Sequence, residues 1–160
     1  MPEQPSDSGE SSPRDDAIRL LARREHSRRE LVERLAAKQH ASDDITECLD
    51  ALAEQGLQSD ARFAESFLRS RLLRGQGPLK IRVELERRGI DREEIRHAFD
   101  EAERTGEGDW LALACHALSR RFTGAGESPR ERARRERFLS QRGFDFDQVR
   151  HALAHAWDDT

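Results

Sequence analysis

Past residue 14, no window of the chain alternates apolar and polar residues with period two, and no Val/Ile/Thr-rich run is bounded by a hairpin turn. Apolar residues recur at helical spacing instead. Ile45, Leu49 and Leu52 take the i, i+4 and i+7 positions of one buried stripe. Phe63 and Phe67, four apart, share a face in the same way and read as core. The pattern predicts an all-α chain of about nine helices, over roughly 16–25, 28–38 and 43–55; 60–74, 78–88 and 92–104; 109–122, 129–142 and 146–157, each end loose by ~2–4 residues. Residues 1–14, MPEQPSDSGESSPR, hold no apolar residue after Met1 and predict a disordered acidic tail.

The predicted helices fall into three copies of one unit. Residues 85–99, LERRGIDREEIRHAF, and 139–153, LSQRGFDFDQVRHAL, share a Leu, an Arg-Gly-apolar-Asp step and an apolar-Arg-His-Ala-apolar run, and 35–49, LAAKQHASDDITECL, keeps the skeleton more loosely. Start signals repeat as well. Ser27-x-x-Glu30 and Ser128-Pro129-x-Glu131 are capping boxes, and Gly77-Pro78 puts Pro at the first helical position. Gly89 and Gly143 stand where a helix end needs a left-handed residue, and Asp91-x-x-Glu94 and Asp145-x-x-Gln148 cap the helix that follows. The division predicted is a tail (1–14), repeat 1 (15–58), repeat 2 (59–104), a linker (105–108) and repeat 3 (109–160). Units this small bury little alone, so they are expected to stack as tandem three-helix repeats in an elongated, curved array.

Composition agrees with small cores. The hydrophobic set makes up 35% of the 160 residues and charged residues 38%. The longest apolar run, residues 110–115, has six members, far below the ~18–20 of a spanning helix, and the polar, acidic start is no secretory signal, so no membrane is expected. Cys48 and Cys115 form neither a metal spacing nor a disulfide framework, which suggests the reducing cytoplasm. Formal net charge is −4, which argues against a simple nonspecific DNA coat. The charge is blocked, however. Residues 19–38, 69–88 and 120–142 hold seven, seven and eight bases against three, two and three acids, whereas 43–60 hold six acids and no base. Of the 28 bases only Lys38 and Lys80 are lysines; guanidinium forks suit phosphate and carboxylate partners, although a G+C-rich genome gives the same bias. If equivalent helices line up, positive charge forms a stripe.

No catalytic, cofactor or metal site emerges. There is no Gly-rich phosphate loop, and Gly124-Ala-Gly126 follows no strand. His151 and His155 have the i, i+4 spacing of a helical metal pair but lack a third ligand, and His97 repeats the His151 position, which points to a structural slot. Cys48 lies on the Ile45/Leu49 side of its helix and reads as a small core residue.

Several stretches together resemble the RecX family of bacterial regulatory proteins. They are Leu21-Ala-Arg-Arg-Glu-His-Ser27-x-x-Glu30-Leu31-x-x-x-Leu35; Ser59-Asp60-x-Arg62-Phe63-Ala64-Glu65-x-Phe67-x-Arg69-Ser70-Arg71 with Gly75-x-Gly77-Pro78-x-Lys80-Ile81-x-x-Glu84-Leu85-x-x-x-Gly89-Ile90; and Phe138-Leu139-x-x-Arg142-Gly143-Phe144. The resemblance implies tandem three-helix repeats and a non-enzymatic modulator of the RecA recombinase. Such a protein binds the groove of the RecA–DNA filament and limits filament growth, ATP hydrolysis and strand exchange. The third copy departs most, with three more residues between Pro129 and Leu139 than lie between Pro78 and Leu85. On this reading Arg69, Arg71, Arg74, Lys80, Arg82, Arg87 and Arg88 form the main contact region for filament or DNA. The chain is expected to act as a monomer that binds DNA weakly on its own. The alternative is a direct DNA-binding, helix-turn-helix-like protein turning at Arg87-Arg88-Gly89-Ile90-Asp91; against it, the next helix carries five acids and three Arg over 92–104.

Overall fold

The computed structural model describes residues 11–158; residues 1–10, most of the expected acidic tail, lie outside them. Among the described residues there are nine helices and no strand: α1 (Pro13–Leu21), α2 (Arg28–Ala37), α3 (Ser42–Glu54), α4 (Asp60–Leu73), α5 (Pro78–Arg87), α6 (Arg92–Arg104), α7 (Trp110–Arg121), α8 (Pro129–Arg142) and α9 (Phe146–His155). The one large shift from the sequence pattern is in α1. It opens at Pro13, inside the segment read as tail, because the Ser12 hydroxyl accepts from the Asp15 N–H and Pro occupies the first helical position. It closes at Leu21, before Arg24 and Glu25, rather than running through them.

The capping signals act as written. Ser27 with Glu30, Ser128 with Glu131 and Asp145 with Gln148 close reciprocal boxes, and the Asp91 carboxylate accepts from the Glu94 N–H. Gly89 and Gly143 have φ of 84° and 100°. The equivalent residue of the first repeat is Gln39, at φ 68°, the sole non-glycine with positive φ among the described residues. Gln39→Gly is therefore expected to raise stability by about 1 kcal/mol. Urea denaturation checks this, and a loss of stability contradicts it.

The chain divides into two compact units, 1–63 and 64–160. In the first, Ala17 of α1, Leu31 and Leu35 of α2, and Ile45, Leu49 and Leu52 of α3 form the core, with Leu20, Leu21 and Cys48 packed against it. Residues past α3 are tied down by polar contacts. The Asp60 carboxylate accepts from the Arg28 backbone N–H at 2.8 Å, and Arg62 reaches Glu25 at 3.1 Å and the Gly56 carbonyl at 2.7 Å.

This unit buries one acid, Asp16. Ser11 Oγ donates to Oδ1, His40 Nε2 lies 2.7 Å from Oδ2, and Lys38 Nζ lies 3.4 Å from Oδ1. These partners, Ser11 foremost, hold the carboxyl at about 2, below its ordinary 3.8, although burial pushes the other way. The unfolded chain thus takes up this proton first as pH falls. The stabilisation is complete above about pH 4 and is lost on the way down to about 2. Asp16→Asn is expected to cost about 1–3 kcal/mol at pH 7, a gap that narrows steadily below pH 4. Thermal melts across that range test it; a gap independent of pH contradicts it.

The second unit holds the rest of α4 and α5 to α9. Ile81 and Leu85 of α5, Ile95, Ala98 and Phe99 of α6, Trp110, Ala114 and Leu118 of α7, Leu139 of α8, and Val149 and Ala152 of α9 are buried. Phe99 meets Trp110 at 5.7 Å between ring centres, which joins α6 to α7. A backbone clasp joins the α4–α5 loop to the α8–α9 turn. The Gly77 N–H donates to the Arg142 carbonyl at 2.7 Å, and the Leu79 N–H donates to the Gly143 carbonyl at 2.9 Å. Both glycines are required there. A Cβ on Gly77 would lie 2.4 Å from the Gly143 carbonyl carbon and the Phe144 nitrogen, and one on Gly143 would lie 2.4 Å from Lys80 Cβ.

Candidate binding surface

Helix α5 forms because Pro78 sets its first turn and Ile81 and Leu85, four apart, anchor one face in the core. The polar positions then point outward in different directions. Lys80 and Arg87, seven apart, lie within about 20° of one another around the axis, whereas Arg82 is about 200° from Lys80. All three are exposed, and none is ion-paired among the described residues. Helical geometry thus splits the basic residues of α5 between two faces.

The other basic residues of the block are partly committed to structure. Arg71 lies over the Phe67 ring at 4.6 Å and reaches Glu84 at 3.6 Å; Arg88 lies over the same ring at 4.9 Å, and both are half-buried. Arg69 pairs with Glu107 at 3.1 Å across an exposed surface, a contact that contributes little. Arg74 is exposed, and its carbonyl accepts from Arg142 at 3.3 Å. Lys80, Arg87 and Arg74 therefore offer charge to a partner without first giving up a carboxylate.

Stacking on phenylalanine accounts for much of the arginine. Guanidiniums stand 4.8 Å from the Phe99 centre (Arg82), 4.4 Å from Phe122 (Arg135), 5.1 Å from Phe138 (Arg142) and 5.6 Å from Phe146 (Arg150). A flat guanidinium covers a ring better than an ammonium does. The sequence signal was available as i, i+4 pairs: Phe67/Arg71, Phe138/Arg142 and Phe146/Arg150. It was missed because each Arg was counted as free charge.

Arg82 borders a cleft of about 620 Å³ formed by α5, α6 and the starts of α7 and α9. Arg92 and Arg96 line it together with Glu86, Asp100 and Glu103, so its walls carry both signs. On α6 itself Arg96 pairs with Glu93 at 2.8 Å and Arg104 pairs with Glu101. That helix is a poor reader of phosphates, which weighs against the helix-turn-helix reading that the turn at residues 87–91 permits.

No group of three metal-ligating side chains occurs among the described residues. The His151 and His155 rings lie 4.7 Å apart, and His155 Nδ1 meets Asp158 at 2.6 Å. Burial raises the Cys48 and Cys115 thiols, the opposite of nucleophile activation. No helix among the described residues is long and apolar enough to cross a membrane.

Three family models match in succession: the first three-helix domain of RecX over residues 14–52, the second over 59–98 and the third over 107–153. A curated relative from Chromohalobacter salexigens, "Regulatory protein RecX", is 64% identical over 152 residues, covering 94% of this chain and 97% of that protein. One of the same name from Halorhodospira halophila is 48% identical over 147 residues, covering 91% and 89%. The crystal structure of RecX from Lactobacillus salivarius shares the fold at a TM-score of 0.72 and 20% identity, over 90% of this chain and 94% of that one. The tandem three-helix architecture, the order of its motifs and these matches agree: the chain belongs to the RecX family of regulatory proteins.

Proposed function

We propose that the chain regulates the RecA recombinase by binding the RecA–DNA filament, where it limits filament growth and lowers ATP hydrolysis and strand exchange. It acts as a cytoplasmic monomer, by binding and without chemistry of its own. Membership of the RecX family supports the partner. The observation that carries the mode of contact is the exposed, unpaired charge of Arg74, Lys80 and Arg87 in the second repeat. Arg82 adds charge on the other side of α5, whereas Arg69, Arg71 and Arg88 contribute after or through their contacts to Glu107 and Phe67.

Acidic groove surfaces or DNA phosphates attract such groups and speed encounter, more strongly at low salt. The acidic helices limit indiscriminate DNA binding by repulsion, so bare DNA is bound weakly. Contacts from successive repeats add through effective concentration. Co-sedimentation separates this from direct DNA binding. The chain is expected to pellet with recombinase filaments at concentrations where it leaves the same DNA without recombinase in the supernatant. Equal retention by bare duplex contradicts the proposal.

A further inference from the structure

The second unit has a second feature that charge alone does not explain. Leu73, the last residue of α4, is 77% exposed, and it does not stand alone among apolar groups. It stands on the edge of a groove of about 270 Å³ floored by Leu72, Leu113, Ala117 and Phe138. Leu113 and Ala117 repeat at i, i+4 along α7, so one side of that helix faces the groove rather than the core. The rim is cationic: Arg74, Arg120 and Arg142 line it beside His116, and no carboxylate of the described residues does.

Arg142 is already placed. Its Nη1 donates to the Arg74 carbonyl at 3.3 Å, and its guanidinium covers the Phe138 ring at 5.1 Å. The side-chain freedom that binding would otherwise remove is thus largely spent in the fold. The volume is below the ~300–1,000 Å³ of a pocket for a drug-sized ligand and fits one or two bulky side chains.

We propose that this groove docks an acidic peptide segment that carries a bulky apolar residue, with leucine or phenylalanine seated beside Leu73 and flanking carboxylates on Arg74, Arg120 and Arg142. Charge complementarity names the occupant, since three guanidiniums and no carboxylate surround an apolar floor. A nucleic-acid strand satisfies the rim but leaves Leu73 and Leu113 in water, and Phe138, the one aromatic platform, is already covered by Arg142. The groove shares Arg74 with the surface proposed for the filament but includes neither Lys80 nor Arg87, and its test needs no recombinase.

The test is fluorescence anisotropy of the full chain with a dye-labelled peptide of glutamates and aspartates holding one leucine and one phenylalanine. Comparisons are the same peptide with both apolar residues replaced by serine, and a labelled oligothymidylate of similar charge. Saturable binding is expected below about 1 mM, weakened about tenfold or more in the serine peptide. Leu73→Asp and Arg120→Glu, both at exposed positions, are each expected to weaken the peptide by about tenfold with unchanged thermal melts. Equal affinity for the serine peptide, no saturation at that concentration, or tighter binding of the oligothymidylate at the same site overturns the proposal.

Discussion

Gly143→Ala is expected to destabilise the second unit by about 3 kcal/mol and to loosen the third repeat from the second. Two costs fall on the same residue. At φ 100° an L side chain is strained whatever the space around it. The new methyl would also sit 2.4 Å from Lys80 Cβ and 2.8 Å from the Lys80 nitrogen. The α5 start must then retreat, and with it go the Gly77 N–H bond to the Arg142 carbonyl and the Leu79 N–H bond to the Gly143 carbonyl. Gly77→Ala strikes the same clasp from the other side, where the methyl meets backbone atoms that no rotamer change can move. Gly124→Ala is the control, because no atom lies within 4 Å of its added Cβ. Urea melts give the stability, and near-ultraviolet circular dichroism of Trp110 and Trp157 reports the packing. A Gly143→Ala chain as stable as the Gly124→Ala chain contradicts the clasp.

Lys80→Glu combined with Arg87→Glu is expected to raise the concentration needed for half-inhibition of the filament by about tenfold or more. The two residues share one face of α5 and carry no ion pair among the described residues. Reversing both turns attraction into repulsion without removing an internal contact, so helicity and melting temperature stay as they were. Arg87→Glu alone and Arg82→Glu alone are the comparison: same helix, same charge change, opposite sides, with the smaller effect on inhibition expected for Arg82, which also gives up its stack on Phe99. Arg71→Glu is uninformative about contact because it removes the stack on Phe67 and places a carboxylate near Glu84. A double variant that inhibits like the wild type, at low salt, places the contact elsewhere.

The helices were legible because their start and stop chemistry is local. A Ser or Asp followed three residues later by Glu or Gln, and a Gly after the last apolar position, describe backbone groups a few ångströms apart in the same segment. What stayed hidden depends on partners distant in sequence. Gly77 reads as a bland residue before a proline, yet its missing side chain is what lets residues 143 and 144 approach. Gln39 occupies a left-handed position that a glycine holds in the other two copies, and only the alignment of the repeats hints at it. The early start of α1 was obscured because Ser12-Pro13 was read as the end of a polar tail rather than as a cap followed by a first turn. Summing charge over residues 69–88 also discards the 3.6-residue period that separates Arg82 from Lys80 and Arg87. It also ignores the rings that occupy Arg71 and Arg88.

Regulation of recombinase filaments is tested most directly by DNA-dependent ATP hydrolysis. The chain is titrated into its cognate recombinase assembled on single-stranded DNA. The proposed limit on filament growth predicts that hydrolysis falls at chain concentrations well below that of the recombinase. A hydrolysis rate unchanged at saturating chain contradicts the account.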